Sequence, residues 1–312
     1  MLVALAGGVG AAKLLAGLAS VVDSAEITAV VNTGDDLVLH GLHISPDIDS
    51  VTYALAGLDN KTTGWGMAGE TWTVAESLKT LGGVSWFQLG DRDLATHLFR
   101  TQRLAEGATL SQVTAELTAA RGVAAQLVPM SDDPVRTWVT LAEPRPGEDA
   151  EVAFQDYFVR LGHAVAVASL RFAGAEEARA APGVLDAISG AELVICCPSN
   201  PIVSIGPILA VPGIQPALEA RRDAVVAVSP IVAGAALKGP ADRLLRELGH
   251  EASALGVARL YARWVGTLVI DEADAALGSD IEALGMRCVV TPAVMSDAVR
   301  ATNLAKAVVN AL

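Results

Sequence analysis

Short apolar runs alternate with helix-like stretches along the chain, and this alternation restricts the folds that it can adopt. The runs are Leu2 to Ala6, Glu26 to Val31, Val84 to Leu89, Glu192 to Cys197, Ala224 to Val228, Leu268 to Ile270 and Cys288 to Val290. After the first run, Leu14, Leu15 and Leu18 repeat at helical spacing. Apolar strands alternating with helices are typical of a parallel sheet covered by helices on both faces. We therefore predict an α/β fold with a doubly wound, mostly parallel sheet.

The middle of the chain has a different pattern. Four segments look extended and have few helices between them: Gln126 to Met130, Thr137 to Glu143, Glu151 to Phe158 and Val165 to Phe172. We predict that approximately residues 109–172 form a smaller inserted subdomain. The core of this single-domain chain, residues 1–312, would then comprise approximately residues 1–108 and 173–312.

Composition excludes several classes of protein. The chain has 312 residues, of which 52% are hydrophobic and 18% charged, a balance that favours a sizeable core over disorder. No apolar run is long enough to cross a bilayer, so we expect no membrane partner. The net charge of -13 argues against wrapping nucleic acid, which requires a basic face. The three cysteines form neither a disulfide framework nor a zinc-ligand pattern, which indicates the reducing cytoplasm.

A glycine-rich turn joins the first predicted strand to the first predicted helix. Gly7, Gly8 and Gly10 would let the backbone approach a phosphate, and the amino end of a helix favours anions. Lys13 is a candidate phosphate contact or a solvated helix residue. The spacing matches neither the dinucleotide fingerprint nor a Walker loop, and a plain tight turn between strand and helix is the alternative.

Aspartates follow this turn in tight groups. Asp35 and Asp36 end the run that starts with Asn32 and Thr33, where an acid could hold a ribose hydroxyl, bind a metal or form an Asx turn. Glycine turns attract phosphate and carboxylates repel it, so a divalent cation between them reconciles the two.

Asp47 and Asp49 precede an apolar helix-like stretch. Capping of that helix explains only one of the two. On an extended backbone their spacing would let both side chains face a cation. We favour Asp49, together with Asp35, as a metal ligand or base.

Two further polar runs follow predicted strands. In the first, Arg92 offers a planar fork for phosphate oxygens, and His97 lies one helical turn beyond Asp93. An acid-capped helix start is the alternative. In the second, serine and asparagine side chains could bind phosphate or a base edge, with a simple turn as the alternative. The candidate residues of the two runs are Gly90, Asp91, Arg92, Asp93, His97, Ser199, Asn200 and Ser204.

The order of these motifs resembles that of the 2-phospho-L-lactate transferases, the CofD family, over nearly the whole chain. The two most specific matches are Gly90-Asp91-Arg92-Asp93-x-Ala95-Thr96-His97 and Pro198-Ser199-Asn200-Pro201-x-x-Ser204-Ile205-Gly206-Pro207. Details such as the Gly-Gly-Val-Gly turn resemble actinobacterial members. Val9 and Ala12 depart from the family, which often has threonine and proline at these positions.

This resemblance implies a Rossmann-like fold, a homodimer and a late step in making the deazaflavin coenzyme F-420. The family moves a phosphoenolpyruvyl or 2-phospho-L-lactyl group from a guanosine diphosphate conjugate to the ribityl hydroxyl of the deazaflavin Fo. GMP is released and Mg²⁺ is required. The actinobacterial features favour the enolpyruvyl donor, which gives dehydro-coenzyme F-420-0, but the sequence leaves the donor open.

On this basis Asp35 and Asp49 would hold Mg²⁺, and Asp49 or Asp36 would accept the hydroxyl proton. Arg92 and the glycine-turn amides would stabilise charge on the transferred group. The expected substrate contacts are Gly7, Gly8, Gly10, Lys13, Asn32, Thr33, Asp47, Gly90, Asp91, Asp93, His97, Ser199, Asn200 and Ser204, with Trp65 or Met130 against the deazaflavin ring.

Two other functions fit the sequence less well. The gluconeogenesis factors, a related branch that binds nucleotide sugars, carry an Asp-Asp-Gly-Gly-Ser-Ser run where this chain has Asp35-Asp36-Leu37-Val38-Leu39-His40. A nicotinamide oxidoreductase would require the G-x-G-x-x-G fingerprint, which is missing.

Overall fold

A computed structural model describes residues 1–312, and a seven-stranded parallel sheet lies at its centre. The fourteen strands are β1 Leu2–Ala6, β2 Ile27–Val31, β3 Leu37–Leu39, β4 Leu42–Ile44, β5 Gln126–Pro129, β6 Arg136–Leu141, β7 Glu151–Ala153, β8 Val167–Ala173, β9 Leu193–Cys196, β10 Val225–Val228, β11 Ile231–Val232, β12 Ala235–Ala236, β13 Thr267–Ile270 and β14 Arg287–Val290.

Twelve α-helices connect these strands. They are α1 Gly8–Leu18, α2 Pro46–Leu55, α3 Thr73–Thr80, α4 Asp91–Ala105, α5 Leu110–Ala120, α6 Val184–Gly190, α7 Gly206–Ala210, α8 Ile214–Glu219, α9 Ala241–Glu247, α10 Ala254–Tyr261, α11 Gly278–Glu282 and α12 Ala298–Val309. Short 3₁₀ segments occupy Ser24–Glu26, Arg222–Ala224 and Glu272–Leu277, and π-helical turns occupy Asp156–Arg160 and Pro201–Ile205. None of the helices has both the length and the hydropathy needed to span a bilayer.

The main sheet has the strand order β14-β13-β10-β9-β1-β2-β5, and every pairing in it is parallel. The chain starts in the middle at β1, then builds outward to β2 and β5 on one side and from β9 to β14 on the other. This confirms the predicted doubly wound α/β fold. In such sheets ligands bind beyond the carboxyl ends of the strands where the direction of building reverses, here at β1, β2 and β9.

Apolar layers cover both faces of the main sheet. Val3 and Leu5 of β1 pack into one layer, and Leu2, Ala4 and Ala6 pack into the other. The leucines of α1 that repeat at helical spacing are buried in the second layer. Burial on both faces explains why these strands read as continuous apolar runs.

The strand predicted from Val84 to Leu89 is wrong. These residues form no strand, and β5 takes the place beside β2 instead. The segment and α3 line a common surface pocket, and Val84 is 45% exposed. Only Leu89 of the segment is buried, so its apolar composition does not mark a core strand.

The segment expected to form an inserted subdomain, residues 109–172, is divided between two sheets. Its first part forms α5 and β5, and β5 belongs to the main sheet. The strands β6, β7 and β8 form a separate three-stranded antiparallel sheet with its own apolar cluster around Val139, Phe154 and Tyr157. Beyond β7, the extended segment predicted to reach Phe158 turns into the π-helical turn that begins at Asp156.

Candidate functional site

The glycine turn between β1 and α1 packs tightly against the loop that follows β9. The Ser199 hydroxyl donates to the carbonyl of Gly7 at 2.8 Å and accepts from its amide at 3.2 Å. A Cβ added at Gly10 would lie 2.3 Å from the carbonyl oxygen of Pro198. Close packing between the two loops therefore already requires these glycines, and their predicted contact with phosphate stays a prediction.

A protein carboxylate lies at the amino end of α1. Asp47 accepts from the amide of Gly8 at 2.8 Å and from the side chain of Asn32 at 2.9 Å. Burial raises the pKa of Asp47 to about 6, although these two hydrogen bonds oppose the shift. The amide of Gly8, the first residue of α1, is thus already hydrogen-bonded to Asp47. Because Asp47 also accepts from Asn32, it links the turn after β1 to the turn after β2.

Lys13 lies apart from this turn. It is exposed on α1, and its ammonium group donates to the carbonyl of Met295 at 3.1 Å. The predicted phosphate contact by Lys13 stays a prediction.

The turn after β2 contains buried oxygen atoms that have no hydrogen-bond partner. The amide of Gly34 donates to the side chain of Asn32 at 2.8 Å, which forms the Asx turn considered above, and the amide of Thr137 in β6 donates to the carbonyl of Gly34 at 2.8 Å. Around this turn the atoms without a partner are Thr33 Oγ1, Asp35 Oδ1, Asp36 Oδ1 and Thr137 Oγ1. We call this set the oxygen cluster.

The two acids of the oxygen cluster form no ion pair, and burial disfavours their charged forms. Burial raises the pKa of Asp35 well above its ordinary value, and the nearby carboxylate of Asp47 raises it further. Burial also raises the pKa of Asp36 to about 7, against the opposing effects of the Arg136 charge and of a 2.8 Å hydrogen bond from Ser45. Buried carboxylates are costly unless they are paired or bind a cation. Carboxylate and hydroxyl oxygens are the ligands that Mg²⁺ takes in proteins, so the cluster fits a divalent cation.

Asp49 lies in a different environment from Asp35. The extended backbone that would let Asp47 and Asp49 face one cation is not found, because α2 begins at Pro46 and places both in its first turn. Both carboxylate oxygens of Asp49 accept from the fully buried guanidinium of Arg100, one of them at 3.1 Å. Asp49 is therefore the partner of an arginine, and its predicted roles as metal ligand and base stay predictions.

Asp93 and His97 complete this buried group, which we call the arginine cluster: Asp49, Asp93, His97 and Arg100. As predicted, Asp93 and His97 share a helix face, with 3.4 Å between His97 Nε2 and Asp93 Oδ1. Burial alone would raise the pKa of Asp93, but His97 and a hydrogen bond from Tyr53 outweigh it and lower the pKa. Three of the four side chains lie within 4.8 Å of one another, as metal ligands would, but the Arg100 charge already compensates the acids.

The residues around the start of α4 cap helices. Glu70 accepts from the amides of Arg92 and Asp93 at 2.7 and 2.9 Å, and Asp91 accepts from the amide of Val74 at 3.1 Å in the first turn of α3. The guanidinium of Arg92 is exposed and donates to the carbonyl of Ala68. An acid thus caps α4, as in the capping alternative, but the acid is Glu70 from outside the motif and His97 is buried, not solvated. Substrate binding by Gly90, Asp91 and Arg92 stays a prediction.

The loop after β9 uses its polar side chains in the same local way. Asn200 accepts from the amides of Ile202 and Val203 at 2.9 and 3.4 Å and caps the π-helical turn. Ser204 is buried, and a Cβ added at Gly7 would lie 2.6 Å from it. Their predicted contacts with the nucleotide stay predictions.

A cavity of about 350 Å³ opens between the oxygen cluster and the arginine cluster. Thr33, Asp36, Arg100 and Arg136 are among the residues that line it. Residues from the turn after β2, from α4 and from β6 therefore meet at a single space beside the carboxyl end of the main sheet.

Comparison with known proteins identifies the relatives of this chain. Residues 2–293 match the family described as 2-phospho-L-lactate transferase CofD. The chain belongs to the CofD family. Curated relatives align with nearly the whole chain. The phosphoenolpyruvate transferase of Streptomyces griseus is 46% identical over 95% of this chain and 93% of the relative. That of Kitasatospora aureofaciens is 45% identical over 98% of this chain and 95% of the relative. The phosphoenolpyruvate transferase of Mycolicibacterium smegmatis is 41% identical over 94% and 93%.

Solved structures support the fold independently. A UPF0052-family protein from Bacillus halodurans superposes on the chain in two crystal structures with TM-scores of 0.60 and 0.62. The sequence identities are 15% and 16%, the matches cover 99% of this chain, and they cover 98% and 99% of the other chain. At that identity the likeness shows a shared fold.

Sequence reasoning missed two arginines of this CofD-family site. Arg100 lies three residues after His97 and seven after Asp93, so their common helix face was a signal that could have indicated it. Arg136 has no such local signal. It reaches the cavity only because β6 packs against the turn after β2.

Proposed function

We propose that the protein transfers a phosphoenolpyruvyl group in coenzyme F-420 biosynthesis. The donor is a guanosine diphosphate conjugate, the acceptor is the ribityl hydroxyl of the deazaflavin Fo, and GMP leaves. One observation carries this proposal: relatives called phosphoenolpyruvate transferases align with nearly the full chain at 41% to 46% identity. The 2-phospho-L-lactyl group is the alternative cargo, because the family itself is described by it.

The proposal places Mg²⁺ at the oxygen cluster, held by Asp35 and Thr33. Both present buried oxygen atoms that have no hydrogen-bond partner. When bound there, Mg²⁺ supplies neutralisation of the charge on the donor's diphosphate. Asp49 was the second expected ligand, but its carboxylate is committed to Arg100, so Asp35 is the stronger assignment.

Asp36 is the proposed acceptor of the proton from the attacking hydroxyl. A general base works best when its pKa lies near the working pH, and burial raises the pKa of Asp36 to about 7. Asp36 is among the residues that line the cavity, its buried Oδ1 has no hydrogen-bond partner, and Ser45 donates to Oδ2. The carboxylate is therefore oriented and has one uncommitted oxygen atom.

An aromatic surface for the deazaflavin ring is part of the proposal. Trp65 is 43% exposed and packs edge-to-face on Trp72 with 6.1 Å between ring centroids. Met130, the other expected contact, has no exposed surface. Trp65 is thus the one of the two with surface open to a ligand.

Mass spectrometry of the reaction product tests the proposal. Purified protein is incubated with Fo, Mg²⁺ and either the enolpyruvyl or the lactyl conjugate of guanosine diphosphate. We expect Fo to gain the phosphoenolpyruvyl group, and that product is lighter by two hydrogens than the lactyl product. Absence of any Fo adduct with both donors, together with tight binding of a nucleotide sugar, would favour the regulatory alternative.

A further inference from the structure

Arg136 presents a guanidinium without a carboxylate partner to the cavity. It is the first residue of β6 and is half-buried. Its one side-chain hydrogen bond goes to the neighbouring carbonyl of Val135 at 3.0 Å, and it takes part in none of the ion pairs within 4.0 Å. Arg100, the other arginine that lines the cavity, is committed to Asp49.

The acids that line the same cavity have other partners. Asp132 accepts from the amide and hydroxyl of Ser111 at 2.7 and 2.8 Å, and Asp133 accepts from the amide of Arg179 at 2.9 Å. Asp36 accepts from Ser45. The Arg136 charge acts on Asp36, but the two side chains form no ion pair, so the guanidinium can pair with a group that enters the cavity.

Hydrogen bonds to backbone carbonyls fix the position of β6 at Arg136. The amide of Thr137, the next residue, donates to the carbonyl of Gly34, and Gln155 donates to the carbonyl of Asp35 at 3.3 Å. These two bonds tie the smaller sheet to the turn that carries the oxygen cluster. Arg136 thus lies next to the place where we put the metal and the base.

We infer that Arg136 binds an oxyanion of the donor in this cavity. A guanidinium fork matches both a carboxylate and a phosphate group. The donor carries both groups: a carboxylate on its three-carbon acid and phosphates in its diphosphate. Either oxyanion could pair with Arg136. This inference rests on the proposed function, because that function defines the donor.

Two substitutions test the inference. Arg136→Gln removes the charge, and Arg136→Lys keeps the charge but loses the fork. We expect the KM for the donor to rise about 10- to 100-fold in Arg136→Gln, the range for losing hydrogen bonds to a charged group, and to rise less in Arg136→Lys. The binding of GDP with Mg²⁺ is measured beside it, because GDP has the diphosphate but lacks the three-carbon acid.

The two measurements separate the sources of the oxyanion. A raised KM for the donor with GDP affinity within about twofold of wild type assigns Arg136 to the carboxylate, and equal weakening of both assigns it to a phosphate. Donor KM and GDP affinity both unchanged in the two variants would overturn the inference. Arg171→Gln is the control, because Arg171 lies in β8 of the same small sheet, exposed and paired with Glu151.

A cooperative thermal unfolding transition shows that each variant is folded. If Arg136→Gln does not fold, the donor KM and GDP affinity of Arg136→Lys decide the test. A wild-type protein that does not transfer the group to Fo refutes the proposed function. A wild-type protein that does, beside variants with unchanged kinetics and GDP binding, refutes the role of Arg136 alone.

Discussion

Arg100 shows what a single buried charge does in this protein. Its side chain has no exposed surface, and it donates to Asp49, to the carbonyl of His43 and toward His97. It therefore joins α4 to α2 and to the strand β4 through one guanidinium. A buried pair of this kind depends on both members, since either charge alone would be uncompensated.

Replacing Arg100 with alanine leaves the Asp49 carboxylate buried without its partner. Removal of one member of a buried ion pair costs roughly 3–5 kcal/mol, so we expect a loss of that size in the free energy of unfolding. Denaturant titration measures it. Arg103→Ala is the matched control on the same helix, because Arg103 pairs with Glu116 at the surface and should cost far less. Equal losses in the two variants would contradict the role assigned to Arg100.

Asp36 predicts a pH dependence of stability in the metal-free protein. Its pKa rises from the ordinary 3.8 to about 7 in the folded state, mainly through burial. The folded protein therefore binds this proton more tightly than the unfolded chain, and the stability gained is lost as the pH rises through that interval. With a chelator present, we expect wild type to lose free energy of unfolding relative to Asp36→Asn as the pH rises from about 4 to about 7. Parallel curves for the two proteins would show that Asp36 has an ordinary pKa.

At the scale of elements, the glycine turn holds α1 against the loop after β9. Alanine at position 10 would place its Cβ 2.3 Å from the carbonyl oxygen of Pro198, a backbone atom that cannot move aside easily. We expect Gly10→Ala to lower the free energy of unfolding by about 1–3 kcal/mol, as overpacking does. Gly190→Ala in α6 is the control, since its Cβ would lie 3.8 Å from the flexible side chain of Met1. A neutral Gly10→Ala would show that the two loops can separate.

The start of α4 depends on a side chain from the loop that precedes α3. Glu70 accepts from two amides of the first turn, so Glu70→Ala should cost about 0.5–2 kcal/mol, the range for losing an N-terminal cap. Denaturant unfolding is compared with that of Glu76→Ala, an exposed glutamate of α3 whose loss should matter less. The cap would be unnecessary if both variants unfolded at the same denaturant concentration.

Element by element, strands were predicted well where both faces are buried. Every residue of β1, β2, β9 and β10 is buried, and each reads as a continuous apolar run. The run from Val84 to Leu89 was also predicted as a strand, but all of it except Leu89 is exposed or half-buried, because apolar residues at the surface give the same local signal. The helical backbone at Asp47 and Asp49 followed from Pro46, a favoured first residue of a helix.

At the scale of the whole molecule, the site is assembled from distant parts of the chain. Asp49 and Arg100 are 51 residues apart, and the sheet that carries Arg136 meets the turn at Gly34 only through tertiary packing. The sequence indicated that Asp35 and Asp36 follow a strand, which is where the structure places them and where we predict the site. It could not show which acid is paired and which is free, because that depends on arginines brought in from other elements.

The expected homodimer is a prediction at this scale. It follows from the family resemblance, and sedimentation equilibrium should give twice the mass of one chain. A single-chain mass over the whole concentration range would contradict it.

The central claim is that the buried oxygen atoms of the turn after β2 hold the divalent cation of a phosphoenolpyruvate transferase. A crystal grown with GDP and Mn²⁺ in place of Mg²⁺ tests it most directly, because Mn²⁺ is located by its anomalous scattering. We predict a single strong peak in contact with the carboxylate of Asp35, and no such peak in Asp35→Asn. A peak held by Asp93 and His97, or one remote from the turn after β2, would contradict the claim.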